Sequence, residues 1–381
     1  MTQEDAVFTR TTRRVRPRWG TGAAAVVTAG AVCLVQAGPA AAAHDHTVVN
    51  CNNNPNALQP AINNAPSGAT LQVKGVCFGN FTINKNLTLT GLEDAVLDGH
   101  DTGTTVTITG AFRVRLNNLT ITHGSTPNRG GGIFNNGGTV TLSGSTVRNN
   151  TAPGTFGGGG GIANNHGTMT LNDSTVRNNT APGTFGFGGG FDNENSSTVT
   201  LNRSTVSNNS GTEIGGGFEN GPHTTLTLHY SRVSNNSSGE VGGIDTSVPT
   251  SLTLDQSTVS KNFSGTDSGG ILITPGTTAT LYRSEVVDNT AGTDGAGIFN
   301  RGTTTLTEST VSNNIAGRNG GGIYNDSPGK LTLRRSTVEH NTAFNDGGGI
   351  YNLGAVTLPE SKVRDNHPNN CAPTPVPGCK G

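Results

Sequence analysis

The chain has little of what a globular core is made from. Of its 381 residues only 5% are aromatic and 31% hydrophobic, with one Trp and two Met against 57 glycines. Such a composition argues against a broad core of packed rings, whereas a narrow core of stacked aliphatic side chains needs few of them. Charge is also scarce: 13% of residues are charged, and 24 Lys and Arg nearly balance 25 Asp and Glu. With residues 1–43 set aside, 19 basic and 23 acidic side chains remain, a net charge of −4 that leaves no basic footprint for nucleic acid. Beyond residue 43 no apolar stretch approaches the ~20 residues that span a bilayer. Signatures of nucleophilic and nucleotide chemistry are missing too: there is no Gly-x-Ser-x-Gly, no Cys–His pairing and no Gly-x-Gly-x-x-Gly between a strand and a helix.

What the chain does have is repetition. Nine times between residues 139 and 366 it rewrites Thr-x-Thr-Leu-x-x-Ser-Thr-Val-x-x-Asn, with a Gly-Gly-Gly-Ile-Tyr-Asn type of segment between copies. Each Leu is followed five residues on by Val and three later by Asn, as in Leu142, Val147, Asn150 and in Leu333, Val338, Asn341. Repeats near 27 residues, rich in Val, Ile and Thr, replace a count of domains by one elongated array. Alternation along a strand puts Val140 and Leu142 inside and Thr139 and Thr141 outside. The glycine segment supplies a third inward column that includes Ile133, Ile162, Phe191, Phe218 and Ile244. Three short strands per turn predict an all-β, single-stranded, right-handed parallel β-helix of about ten or more coils. The Ser145 and Asn150 columns run unbroken through nine coils and are expected to hold register. Stacked amides hydrogen-bond along the axis, and Asn tolerates the left-handed backbone of a tight turn.

Four parts follow. Residues 1–43, with five arginines, an apolar run from Ala23 to Val35 and Ala-Ala-Ala at 41–43, read as a secretory signal peptide; Thr12-Arg13-Arg14 hints at the twin-arginine route, but Arg16 favours the general one. Residues 44–90 carry an N-terminal cap and the first irregular coils, with Leu58, Ala61, Ile62 and Ala65 on one face of a short capping helix. Residues 91–366 form the repeat domain, and 367–381 a proline-rich tail. Export places Cys51, Cys77, Cys371 and Cys379 in an oxidising compartment. They can pair three ways, and proximity favours Cys51 with Cys77 and Cys371 with Cys379.

Asn-Asn-Thr-Ala at 149–152 and 178–181, and Gly-Gly-Gly-Ile-Tyr-Asn at 320–325 and 347–352, resemble the repeats of chlamydial polymorphic outer-membrane proteins. Here Val stands for the Phe of that family's Phe-x-x-Asn and a small residue for the Ala of its Gly-Gly-Ala-Ile, and its membrane barrel is missing. More broadly, residues 44–366 resemble the right-handed β-helix class that includes pectate lyases, which implies a fold more than an activity. No Asp-Asp or Gly-His-Gly signature of the polygalacturonases is present, and no Arg stands beside several Asp as the lyase pattern requires.

Candidate chemistry lies where the repeat disagrees with itself. The residue after the inward Ile or Phe points outward, and over three consecutive coils it is Asp192, Glu219 and Asp245, placed for acid catalysis on a polysaccharide. Glu213, Glu240 and Asp267 occupy the preceding turn, an oxygen-rich set suited to calcium. Phe134, Phe299, Tyr324 and Tyr351 flank the acids in the outward column as a strip of exposed rings on which sugars could stack. The outward Thr-x-Thr ranks resemble ice-binding solenoids, and His44-Asp45-His46 at a new terminus could bind copper or nickel. The blander alternatives are that outward acids keep the surface soluble, that rings pack against rings, and that Thr is simply a good outward strand residue. The expectation is therefore a secreted monomer that binds polysaccharide or a cell surface along one face. A polysaccharide lyase or glycoside hydrolase is the alternative and an ice-binding solenoid a minor one.

Overall fold

The computed structural model describes residues 47–373 and 376–380. The expected leader and the His44-Asp45-His46 terminus lie outside the described residues. The chain winds into a right-handed parallel β-helix of about twelve coils. One coil shows the plan: strands Ile162–Asn165, Thr168–Asn172, Thr175–Arg177 and Thr180–Ala181 follow in order, and Phe191–Glu194 opens the next turn one level on. Three faces were expected, and one of them is bent into two strands. The bend falls at Asp173, which has φ 49°, before Ser174.

Register is unbroken along the long strands. Leu142, Leu171, Leu201, Leu228, Leu254 and Leu281 pair coil to coil, all buried, and the Val147 column does the same. Outside, Thr139 aligns with Thr168, Thr198 and Thr225, and Thr141 with Thr170, Thr200 and Thr227. Because each strand fills its own slice of core, aliphatic residues suffice; the fully buried Phe191 and Phe218 stack ring on ring at 4.7 Å.

Two polar ladders run inside the turns. Asn150 Nδ2 donates to Asn179 Oδ1 at 2.9 Å, and the same bond repeats coil by coil to Asn341 and Asn366. The next Asn Oδ1 also accepts the backbone N–H, as in Asn150 N to Asn179 Oδ1 at 3.0 Å, so each buried amide is satisfied within the stack. The serines do likewise, Ser145 N donating to Ser174 Oγ at 3.1 Å. One expectation is corrected: the left-handed residue is not the ladder Asn but the one before it, Asn149, Asn178, Asn208 and Asn235, with φ of 54–55°. The ladder side chain is committed to the stack, and the exposed neighbour makes the turn; Lys261, Asp288 and His340 serve there equally well.

Both ends are closed. Helix Leu58–Asn64 lays Leu58 and Ile62, both 0% exposed, over the first coil. Pro60 falls in its first turn, where a missing N–H loses no bond, and Lys85 Nζ caps its end through the carbonyls of Asn63 and Ala65 at 2.9 Å. Cys51 pairs with Cys77 at this end and Cys371 with Cys379 at the other, where Val376 is buried. Among the described residues no helix is long and apolar enough to cross a membrane.

Candidate functional site: an acid groove on the glycine-turn face

The strands that follow the glycine turns form a sheet in two pieces. The first ends at Phe218–Asn220, the second begins at Ile271–Ile273, and between them Ile244 is held by isolated bridges. A second Asn ladder supports this sheet from inside: Asn135 Nδ2 donates to Asn164 Oδ1 at 2.7 Å, then Asn164 to Asn193 at 3.0 Å and Asn193 to Asn220 at 3.3 Å. It stops where Thr246 and Ile273 replace Asn and resumes at Asn300. The candidate acids Asp192, Glu219 and Asp245 approach and cross this gap.

The column after the inward residue reads Phe134, Ala163, Asp192 and Glu219 in paired register, with Asp245 next. These side chains point away from the core as expected, but several are not exposed. Asp192 is 1% exposed, Asp245 5% and Phe299 3%. The cause is the glycine turn, which lies tightly over the strand: Gly159 has φ 58°, and a Cβ there would sit 2.3 Å from the carbonyl oxygen of Ile162. The outward column is therefore the floor of a groove, and the turns are its wall.

Arg129 enters this floor from two coils away. It occupies the turn position that Gly158 and Phe187 take in the following coils. Gly158 has no side chain to block it, so the guanidinium extends along the axis to Asp192, Nη1 to Oδ2 2.9 Å, and pairs with Glu194 as well, with Phe187 beneath it at 5.1 Å. The expectation that no Arg stands beside the acids is thus overturned, because 63 residues of sequence separate groups that are two coils apart in space.

Burial and mutual repulsion govern the protons here. Burial pushes the Asp192 carboxyl up to about 7; the charge of Glu194 adds to this, and Arg129 opposes it. Glu219 is held well above the usual carboxylate range, by burial first and then by the charges of Asp192 and Asp245. Asp245 is raised to about 7, again mainly by burial. As carboxylates, Asp192 and Glu219 would each leave one buried oxygen, Oδ1 and Oε2, without a donor; the proton held by Glu219 lets it donate to the Asp192 carboxylate instead. Asp192, Glu194 and Glu219 offer oxygens within 4.8 Å of one another, a hard-donor set of the kind calcium takes.

Hollows lie on both sides of the acids. One of about 250 Å³ is bounded by Arg129, Phe134, Asp192 and Glu194. It adjoins one of about 580 Å³ lined by Pro127, Arg129, Phe134 and Phe156. On the far side a hollow of about 240 Å³ lies between Glu240, Asp267, Leu272, Phe299 and Arg301. Glu213 and Glu240 join through backbone in successive coils, and Glu240 is raised by burial and then by the charges of Glu213 and Asp267. The Asp267 carboxylate accepts the N–H of Asp294 at 3.1 Å and the hydroxyl of Thr293. Of the candidate rings, Phe134 opens onto the first hollows, while Phe299, Tyr324 and Tyr351 stack at 4.7 and 5.0 Å, with Arg301 over Phe299.

Sequence reasoning placed Asp192, Glu219 and Asp245 in one column and missed Glu194, Arg129 and Phe156. Glu194 had a signal, since alternation puts it on the same side of the strand as Asp192. Phe156 belongs to a duplicated stretch, identical at 145–157 and 174–186, and stacks on its copy Phe185 at 5.2 Å.

The fold and this floor define the chain as a parallel β-helix with a buried acid groove. No protein-family model and no curated protein matches it. Among solved structures it is similar to pectate lyase Pel9A, at 15% identity and a TM-score of 0.46 over 84% of this chain and 80% of that one. It is also similar to an alginate lyase from Paenibacillus sp. str. FPU-7, at 12% identity and a TM-score of 0.29 over 84% and 97%. Neither likeness bears on the chemistry of the site.

Proposed function

We propose that the chain is an exported protein that acts on a polysaccharide lying in this groove, as a glycoside hydrolase. One observation carries the reading: two neighbouring carboxyls, the buried Asp192 at the edge of a hollow and the half-buried Glu219 in the next coil, lie within hydrogen-bonding reach of each other and are both raised above the usual carboxylate range. Arg129 opposes the rise at Asp192, whereas the charge of Asp192 adds to the rise at Glu219, so the two carboxyls are pushed toward different tasks. Glu219 keeps its proton and donates it to the glycosidic oxygen as that bond breaks while Asp192, held by Arg129, attacks the sugar carbon; a water that gives its proton back to Glu219 then displaces Asp192 and releases the sugar. One oxygen of each lies within 4.8 Å of the other, short of the ~6.5–9.5 Å that leaves room for a water between the carboxyls. Asp245, in the next coil, adds to the rise at Glu219 once it ionises, above about pH 7.

The second reading is binding without turnover, favoured by the half-buried rings of Phe134, Tyr324 and Tyr351, spaced along the axis on one face. A panel of acidic, neutral and amino polysaccharides, each with calcium or EDTA, separates the two. Reducing ends released by the wild type and abolished in Asp192→Asn with Glu219→Gln support the hydrolase. Binding on a glycan array with no cleavage of any polymer leaves the binding reading, and neither binding nor cleavage removes both.

A further inference from the structure

The stacked rings of the duplicated turns stop at the edge of a hollow. Phe185 covers one face of Phe156, with centroids 5.2 Å apart and the rings nearly parallel at 12°. Pro127 stands in the coil before where Gly154 and Gly183 stand in the next two: a Cβ on Gly154 would run into the carbonyl of Pro127, and one on Gly183 into that of Gly154. Arg129 pairs in the same way with Gly158, and Gly158 with Phe187. The chain advances two residues from Pro127 to Arg129 but four from Gly154 to Gly158, so the shorter turn carries no ring to follow Phe156. The uncovered face of Phe156, a side chain 64% exposed, opens instead onto the hollow of about 580 Å³ that Phe134 also lines.

The rim of this hollow is polar but offers no free charge. Thr104, Asn128 and Thr155 line it. The carbonyls of Thr104 and Thr155 accept from Asn80 Nδ2 at 2.9 Å and from the Phe185 N–H at 2.8 Å, whereas their hydroxyls and the Asn128 amide have no partner among the described residues. Arg129 is the one charged side chain of the lining, and it is engaged by Asp192 and Glu194. A flat apolar face beside free hydroxyl and amide groups matches a pyranose, which is apolar on its ring face and hydroxylated at its edge. A uronate finds no free cation in this hollow and an amino sugar no acid. A flat aromatic compound would leave the rim groups that face it without partners.

We infer that this hollow is a subsite for an uncharged sugar unit, which lies on Phe156 as the third member of the ring stack, next along the groove from Asp192. The inference rests on the polysaccharide reading above and narrows it to neutral chains.

Calorimetric titration of the full chain at about pH 6 tests it. Cellohexaose, mannohexaose and xylohexaose are compared with the hexamers of galacturonate and of glucosamine, in low and in high salt. At least one neutral hexamer is expected to bind about tenfold tighter than either charged one, with an affinity that salt leaves unchanged, because an unpaired charge is costly to bury and no ion pair is made. Phe156→Ala should weaken that binding about three- to tenfold, and Phe156→Trp, which keeps a ring face, should preserve it. A charged hexamer that binds as tightly as the best neutral one overturns the inference and leaves the polysaccharide reading standing. So does a neutral hexamer whose affinity is the same in Phe156→Ala, since its sugars then lie elsewhere. Naphthol binding as tightly as the best hexamer also overturns it, because a flat face alone would then be recognised. If no hexamer binds or is cleaved, the polysaccharide reading falls with it. The comparison of hexamers needs no variant, so it stands whatever a substitution does to the turn.

Discussion

At the scale of single residues, the site depends on a side chain that is absent. Arg129 reaches Asp192 because Gly158 lies between them, and a Cβ at Gly158 would come within 2.4 Å of Asp192 Oδ2 and 2.9 Å of the Phe187 ring. Gly158 is not among the positive-φ glycines, so alanine is sterically allowed by its backbone and the clash falls on the site. Gly158→Ala is therefore expected to cut polysaccharide turnover about tenfold or more while leaving the β-sheet circular dichroism intact, because displacing a reacting carboxylate by even 1 Å is costly. Unchanged turnover would separate Arg129 from the chemistry. The same residue explains what was legible in the sequence. Alternation along one strand exposes Asp192 and Glu194 as a pair, but no local pattern says that an arginine two coils below will extend over a glycine to meet them. The interior burial of the acids was likewise hidden, since the repeat shows which way a side chain points and not what folds over it.

At the scale of the repeating element, the Asn stack was read correctly as register and wrongly as the turn residue. The two roles fall on adjacent asparagines, and only the hydrogen bonds separate them. Asn236 donates to Asn262 Oδ1 at 3.0 Å and to Val206 O at 3.1 Å, and its Oδ1 receives both the amide and the backbone N–H of Asn209. Asn236→Ala leaves those partners buried and unpaired, a loss of about 2–4 kcal/mol. Because coils contact mainly their neighbours, the damage should appear as faster amide exchange in the coils beside residue 236 before any change at the helical cap. The exposed Asn235→Ala tests a different quantity, the cost of a left-handed turn, and is expected to be milder, about 1 kcal/mol. The second Asn ladder was also present in the repeated Gly-Gly-Gly-Ile-Tyr-Asn phrase, but its break at Thr246 acquires meaning only when the sheet is seen to part beside Asp245.

At the scale of the whole molecule, the groove ties stability to pH. Asp245 is raised from 3.8 to about 7 by burial, so the folded chain holds a proton there that the unfolded chain has released between those values. Its stabilising contribution is complete below the unfolded value and is lost as pH rises through about 7, with an upper bound on the order of 4 kcal/mol. Asp192 acts in the same direction. Thermal melts are expected to show a lower Tm at about pH 8 than at about pH 5, and Asp245→Asn should flatten that slope by raising the Tm on the alkaline side. A Tm that rises with pH in the wild type would contradict the buried placement of these acids.

Coil length varies along the ladder, from 30 residues between Asn179 and Asn209 to 25 between Asn289 and Asn314, yet every Asn meets its counterpart. That variation is absorbed in turns, three residues of it in the glycine turn that walls the groove (Asn179 to Phe191 against Asn289 to Ile298) and two in the turn that leads to the Thr-x-Thr strand. The molecule thus behaves as a ruler with fixed divisions of ~4.8 Å and adjustable margins. Insertions reshape the margin at one division without disturbing the next, while copying a whole coil lengthens the scale by a single notch. The identical segments that set Phe156 over Phe185 read as one such notch. Ligand length is then matched in discrete steps, and related chains that differ by a coil should prefer oligomers that differ by a countable unit.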